Sequence, residues 1–134
     1  MTHALTIRIE DRPGTLGRLA RTLGNAGVNI DAFQADGGTA RLIVQDGNRA
    51  AQALRTAGFT PAVNEAFEVR LQNRPGELAN LGEALGKAGV NVQASFGTAA
   101  DGRIYLQVDN ATAARPILER FGPTTVRTSG SATR

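Results

Sequence analysis

Asp11-Arg12-Pro13-Gly14-Thr15-Leu16, followed one helix length later by Ala26-Gly27-Val28-Asn29-Ile30, decides the fold, because the chain says it again. Asn73-Arg74-Pro75-Gly76-Glu77-Leu78 and Ala88-Gly89-Val90-Asn91-Val92 repeat both pieces at an offset of about 62 residues. Between and beyond these anchors Leu19, Leu23, Gly24 and Ala32 match Leu81, Leu85, Gly86 and Ala94. Two motifs with the same internal spacing, twice, make a tandem repeat. Each copy has roughly 60 to 65 residues, close to the lower limit for an independent core.

Each copy can be read outward from its anchors. Leu5, Ile7 and Ile9 alternate with Thr6, Arg8 and Glu10, the period of a half-buried strand, and Phe67, Val69 and Leu71 do the same later. Arg-Pro-Gly then breaks the strand and opens a helix, with proline expected in the first turn. Leu16, Leu19, Ala20, Leu23 and Ala26 fall at helical spacing, as do Leu78, Leu81, Gly82, Leu85 and Ala88. Gly27 and Gly89 are placed to end those helices as left-handed caps. Val28, Ile30 and Ala32 begin a second strand, Asp36-Gly37-Gly38 turns it, and 41–45 runs back. The second copy follows with Val90, Val92 and Ala94, a turn at Asp101-Gly102, and Ile104, Leu106 and Val108. Residues 48–57 and 112–121 read as second helices, with Thr112 as the cap that places Pro116 in a first turn. Short strands are expected at 60–63 and 124–127, and a frayed polar tail at 129–134. The order is β-α-β-β-α-β twice: an α+β fold of two ferredoxin-like units, 1–63 and 64–128, each an antiparallel sheet with helices on one face.

Composition narrows the chemistry. The sequence has 134 residues, 41% of them hydrophobic, with no cysteine and one histidine. Disulfides, thiolate metal sites and cysteine nucleophiles are excluded, and a triad or transition-metal site would rest on His3 beside a mobile terminus. No apolar run approaches the roughly 20 residues of a membrane span, and 1–11 lacks a signal-peptide core, so a cytoplasmic protein is expected. The charge of +3 invites a nucleic-acid reading, but the arginines are scattered among Asp and Glu, and aromatics are 4% of the chain. The ferredoxin-like superfold serves many functions, so the site must decide among them. An RNA-recognition motif needs aromatics on the third strand, where Leu42-Ile43-Val44 has none and the second copy has only Tyr105, read as a surface strand aromatic. A copper chaperone needs a Cys-x-x-Cys. An acylphosphatase needs a longer loop than Arg12 or Arg74 occupies.

The pairing of (Asp/Asn)-Arg-Pro-Gly-x-Leu with Gly-Val-Asn-(Ile/Val) about twelve residues later resembles the ACT domain family of small regulatory modules, over residues of about 4 to 127. The resemblance implies a free amino acid held between paired domains, with no catalysis and no cofactor in the module itself. The expected output is control of a separate partner protein; the alternatives are a regulatory subunit or antirepressor with a vestigial ligand site, and a small enzyme or RNA binder. It also implies contacts from Asp11 and Asn73, and from Asn29 and Asn91 reaching across from a neighbouring domain. One family pattern places a histidine where this chain has Ile9 and Leu71, a departure that speaks against a serine-type effector.

The residues themselves suit such a ligand. Helix starts at Thr15-Leu16 and Glu77-Leu78 offer unpaired N–H groups to a carboxylate, and Gly14 and Gly76 let a ligand near the backbone. Asp11 meets an ammonium by charge and Asn73 by a dipole. Glu77 competes with a ligand carboxylate for the same N–H groups, so charge ranks the first junction above the second. The structural alternatives are that Asp11 and Asn73 cap the helix or close an Asx-turn, that Asn29 and Asn91 bond locally, and that the glycines only turn the chain. Neither nucleic acid nor membrane is expected as a partner. If the copies join side by side, the short Asn64-Glu65-Ala66 connection cannot span them. Ligand-forming pairing is therefore expected between chains of a homodimer, or else residues 60–63 are swapped or unpaired.

Overall fold

The computed structural model describes residues 2–97 and 102–121, and the backbone of 126–127. The first copy comprises β1 (His3–Arg8), α1 (Thr15–Asn25), β2 (Ala32–Asp36), β3 (Thr39–Val44), α2 (Gly47–Thr56) and β4 (Pro61–Glu65). The second comprises β5 (Phe67–Arg70), α3 (Glu77–Lys87), β6 (Val92–Gly97), β7 (Arg103–Val108), α4 (Ala111–Leu118) and β8 (Val126–Arg127). Both sheets are antiparallel, ordered β2-β3-β1-β4 and β6-β7-β5-β8. This is the ferredoxin-like βαββαβ pattern, twice. The turn residue Asp101, residues 124–125 of the last expected strand, and the tail 129–134 lie outside the described residues.

Strand alternation sets the layers. Leu5, Ile7, Leu42 and Val44 point to one face and form a core with Leu19, Leu23 and Leu54 of the helices. Phe67, Val69 and Leu106 do the same with Leu81, Leu85 and Leu118. The opposite faces meet each other: Ala4 and Ile43 of the first sheet pack with Ala66 and Tyr105, flanked by Ala32 and Phe96. The chain is a stack of helices, sheet, sheet, helices.

Several expectations need correction. Val28 and Ile30 precede β2 rather than opening it, and both pack partly buried on the core. Thr112 does not cap α4; the Asn110 side chain does, accepting from Ala113 N–H at 3.0 Å. Pro116 therefore sits in the last turn, where it removes the bond to the Thr112 carbonyl near a helix end already due at Leu118. Tyr105 is no surface aromatic: it is 5% exposed between the sheets. His3 is held in β1, its Nδ1 accepting from Gly47 N–H at 3.0 Å. Residues 60–63 are neither swapped nor unpaired, since β4 pairs with β1 from Pro61 to Glu65. Stacking by faces removes the reach problem, and Ala66 alone separates β4 from β5.

The glycine caps hold as expected. Gly27 and Gly89 have φ of 74° and 75°, and Val28 and Val90 N–H groups return to Leu23 and Leu85 carbonyls at 2.9 Å. This doubled cap closes each helix and turns the chain toward its edge strand.

Candidate functional site

The motif that repeats is a type II turn. Thr15 N–H reaches Arg12 O at 3.3 Å across Pro13 and Gly14, and Gly14 has φ 91° and ψ −14°. Glu77, Arg74 and Gly76 (φ 88°, ψ −11°) repeat it. Proline presets the first central position and the second demands a positive φ, so Pro-Gly is what this turn requires. Proline thus lies before the helix, not in its first turn, and Gly14 and Gly76 are the residues at the caps. Neither helix start has a side-chain cap, so Asp11 and Asn73 do not serve in that role. Arg18 and Asn80 N–H groups bond back to Gly14 and Gly76 at 2.9 Å, leaving those of Leu16, Gly17, Leu78 and Ala79 without a backbone acceptor.

At the second junction this turn borders a cavity of about 360 Å³ between α3 and the edge strand β6. Its floor is Leu71, Leu81, Leu85, Ile104 and Leu106, and Val92 and Leu78 wall it. Its polar rim is Gln72, Asn73, Arg74, Glu77 and Ser95. The Glu77 carboxylate does not turn back to the helix N–H groups; it pairs with Arg74 Nη2 at 2.5 Å. A β-bulge between Val92 and Ala94 bends β6 along the cavity, a device common beside binding sites.

Of the sequence candidates, Asn73, Glu77 and Leu78 line this space, and Gly76 shapes its turn without lining it. Asn91 lies at the other end of α3, about 16 Å away by helix rise, where its N–H donates to Asp109 Oδ1 at 2.9 Å. Asp11, Gly14, Thr15 and Leu16 occupy the equivalent junction of the first copy; Thr15 is buried, Leu16 is 40% exposed and Asp11 is fully on the surface side. Asn29 is exposed beyond the far end of α1. The cavity is thus lined by the second copy alone. The sequence reading missed its β-strand wall, Val92, Ser95 and Ile104. The signal was in the repeat: Ala20 of the first copy becomes Gly82, and Phe33, opposite Leu42, becomes Ser95, opposite Leu106.

The layer between the sheets is polar as well as apolar. Glu68 is 4% exposed there, with Arg103 Nε at 3.4 Å and Arg70 Nη2 at 3.9 Å. Burial, then the Glu68 charge, raises the Tyr105 phenol above its usual range. Burial lowers the His3 imidazole, which must stay neutral to accept from Gly47. Among the described residues no cluster of His, Asp or Glu could hold a metal ion, and no helix is long and apolar enough to cross a membrane.

A family model described as an ACT domain pair matches residues 1–121. The fold is similar to that of a protein from Bacteroides thetaiotaomicron (23% identity, 88% of this chain and 86% of that one, TM-score 0.77). It is also similar to the regulatory subunit of aspartate kinase from Thermus flavus (17% identity, 89% and 91%, TM-score 0.69). Aspartokinase III of E. coli, solved with lysine and aspartate, matches over 30% of its own length (12% identity, 89% of this chain, TM-score 0.62). No curated protein matches the chain. Two βαββαβ units, the repeated turn and the match across both copies have one reading: this chain belongs to the ACT domain pair family.

Proposed function

We propose that this is a stand-alone cytoplasmic regulatory module, not an enzyme, which binds a free amino acid and controls a separate protein. The observation that carries the reading is the 360 Å³ cavity beside the Arg74-Pro75-Gly76 turn, where a charged rim meets an apolar floor. A pocket of that size, apolar with a few convergent polar groups, is the usual form of a small-molecule site. The similarity to a regulatory subunit of aspartate kinase along most of both chains supports an enzyme as the partner class. The test is thermal unfolding against the twenty amino acids. A ligand at about 100 times its Kd adds about 2.7 kcal/mol of stability. No shift with any of them refutes the reading.

The module acts as a homodimer in this proposal. β2 ends its sheet with no strand beyond it among the described residues, and open edges invite pairing. The large exposed hydrophobics Leu16, Phe33, Leu78 and Val92 lie on β2, β6 and the helix starts. These same side chains favour the second reading, a regulatory subunit or antirepressor that works by protein contact and whose ligand site is vestigial. Sedimentation equilibrium decides the first point, a monomer at tens of micromolar counting against it. Capture of a partner that no amino acid releases favours the second reading. The units 1–63 and 64–128 are taken as the two domains, with β4 carrying the first on to Glu65.

A further inference from the structure

We propose that the effector is an amino acid with an aliphatic or aromatic side chain, and that the second copy alone takes it. This rests on the amino-acid-sensing reading above and names the substrate class of that site. The cavity holds about 360 Å³, more than twice the roughly 150 Å³ apolar cavity that admits benzene, so a whole branched or aromatic side chain fits. Its floor residues Leu71, Leu81, Leu85 and Leu106 are all buried and apolar. A hydroxyl, amide or ammonium carried down to them meets no partner and loses its hydration. The polar groups are at the rim, and they suit the other end of the ligand. Arg74 and Glu77 now hold each other, and a zwitterion offers each a replacement: carboxylate to Arg74, ammonium to Glu77.

The first copy differs at the positions that make the space. Ala20 stands for Gly82, and Phe33 for Ser95. Its rim differs too: Arg12 pairs with Glu10 rather than with a residue of the helix, and Asp11 adds a second acid. Charge at Asp11 favours an ammonium, but the first copy puts the larger Ala20 and Phe33 at the positions where Gly82 and Ser95 border the cavity. Shape therefore ranks the second junction first.

The test is titration calorimetry of the full chain with valine and threonine, which are nearly the same size, and with leucine, phenylalanine, lysine and aspartate. Valine or a larger apolar amino acid is expected to bind at one per chain, with valine about 100-fold tighter than threonine, as in other apolar pockets that face this pair. Transplanting the first copy's residues, Gly82→Ala with Ser95→Phe, is expected to weaken binding at least tenfold. Gly82 has open space around it and Ser95 is exposed, so the variant should melt no lower than the parent. Gly82→Ala alone, with helix propensity in its favour, guards against a folding failure. Threonine, lysine or aspartate bound as tightly as valine overturns the inference and leaves the amino-acid-sensing reading standing. Full affinity in both variants, or two ligands per chain, overturns the placement. No binding by any amino acid overturns the reading itself, and the inference with it.

Discussion

Adding one methyl group to Gly47 tests how firmly the strand-to-helix contact in the first copy is packed. A Cβ built there falls 2.6 Å from His3 Cγ and Nδ1 and 2.7 Å from His3 Cβ. Carbon atoms settle at about 3.5 to 4.0 Å, so the deficit is about 1 Å. The ring has no easy retreat: His3 is paired with Val44 on one side and Glu65 on the other, and its Nδ1 is bonded to Gly47 N–H. Overpacking of this kind costs about 1 to 3 kcal/mol, and losing the hydrogen bond adds about 1. Alanine's helix propensity returns at most about 1 kcal/mol at the first residue of α2. The net loss for Gly47→Ala is therefore about 2 kcal/mol, or roughly 5 to 10 °C in melting temperature for a chain of this length.

A graded background separates this cause from others. His3→Ala removes the two ring contacts and leaves the Cβ contact; His3→Gly removes all three. The cost of Gly47→Ala should fall from the parent to His3→Ala, and vanish or change sign in His3→Gly. Urea unfolding of the six proteins at pH 8, where His3 is neutral, gives the coupling directly. A cost that stays within about 0.5 kcal/mol in all three backgrounds refutes the argument.

The same contact makes stability depend on pH. Burial lowers the His3 pKa below 6.5 in the fold, so its contribution is complete above about pH 6.5 and is lost as pH falls through the lowered value. Urea midpoints measured between pH 5 and 8 should slope upward through that window, and His3→Gln should flatten them. Gly102→Ala should destabilise more than Gly76→Ala: both positions have positive φ, but at Gly102 the new Cβ also meets Leu71 O at 2.4 Å, while at Gly76 nothing lies within 4 Å. The positive φ alone costs about 1 to 2 kcal/mol and overpacking a further 1 to 3, so the melting temperatures should separate clearly. Arg103→Met should cost about 3 kcal/mol by taking away the guanidinium that lies 3.4 Å from the buried Glu68 carboxylate, and equal stability in guanidinium titrations would sink that account.

The repeat made most of the fold legible. Once Arg-Pro-Gly and Gly-Val-Asn recur with one spacing, the strand before, the helix between and the cap after follow from period and turn chemistry. What failed failed locally. The cost of a mid-helix proline argues for Pro116 in a first turn, whereas Asn110 starts the helix early and the proline falls where it is about to end. Alternation puts Tyr105 on the second face of its strand but does not say that this face is also covered. The stacking that covers it leaves almost no mark in the pattern: Ala4, Ile43 and Ala66 are single apolar residues in otherwise polar company. The turn half of the site was legible, since Asn73, Glu77 and Leu78 belong to the motif. The cavity was not, because a void is made by what is small, and Gly82 and Ser95 attract no attention alone.

The two copies differ along one line of the molecule, and the difference has a direction. β2 is a regular edge strand, paired to β3 residue for residue from Ala32 to Asp36, with Phe33 standing 65% exposed on it. β6 is bulged at Gln93, and carries Ser95 beside the cavity. A regular edge with an exposed aromatic is suited to strand addition, whereas a bulge discourages it and makes room. The sheets stack with β2 near β6, so the edge suited to a partner and the edge suited to a ligand adjoin. Under the homodimer proposed above, a second copy laid on β2 comes to rest beside the cavity mouth. Any change in affinity that the effector causes at one of these edges must then be matched by an equal change at the other. Divergence of the repeat, rather than its symmetry, would be what turns a stable pair of folds into a sensor.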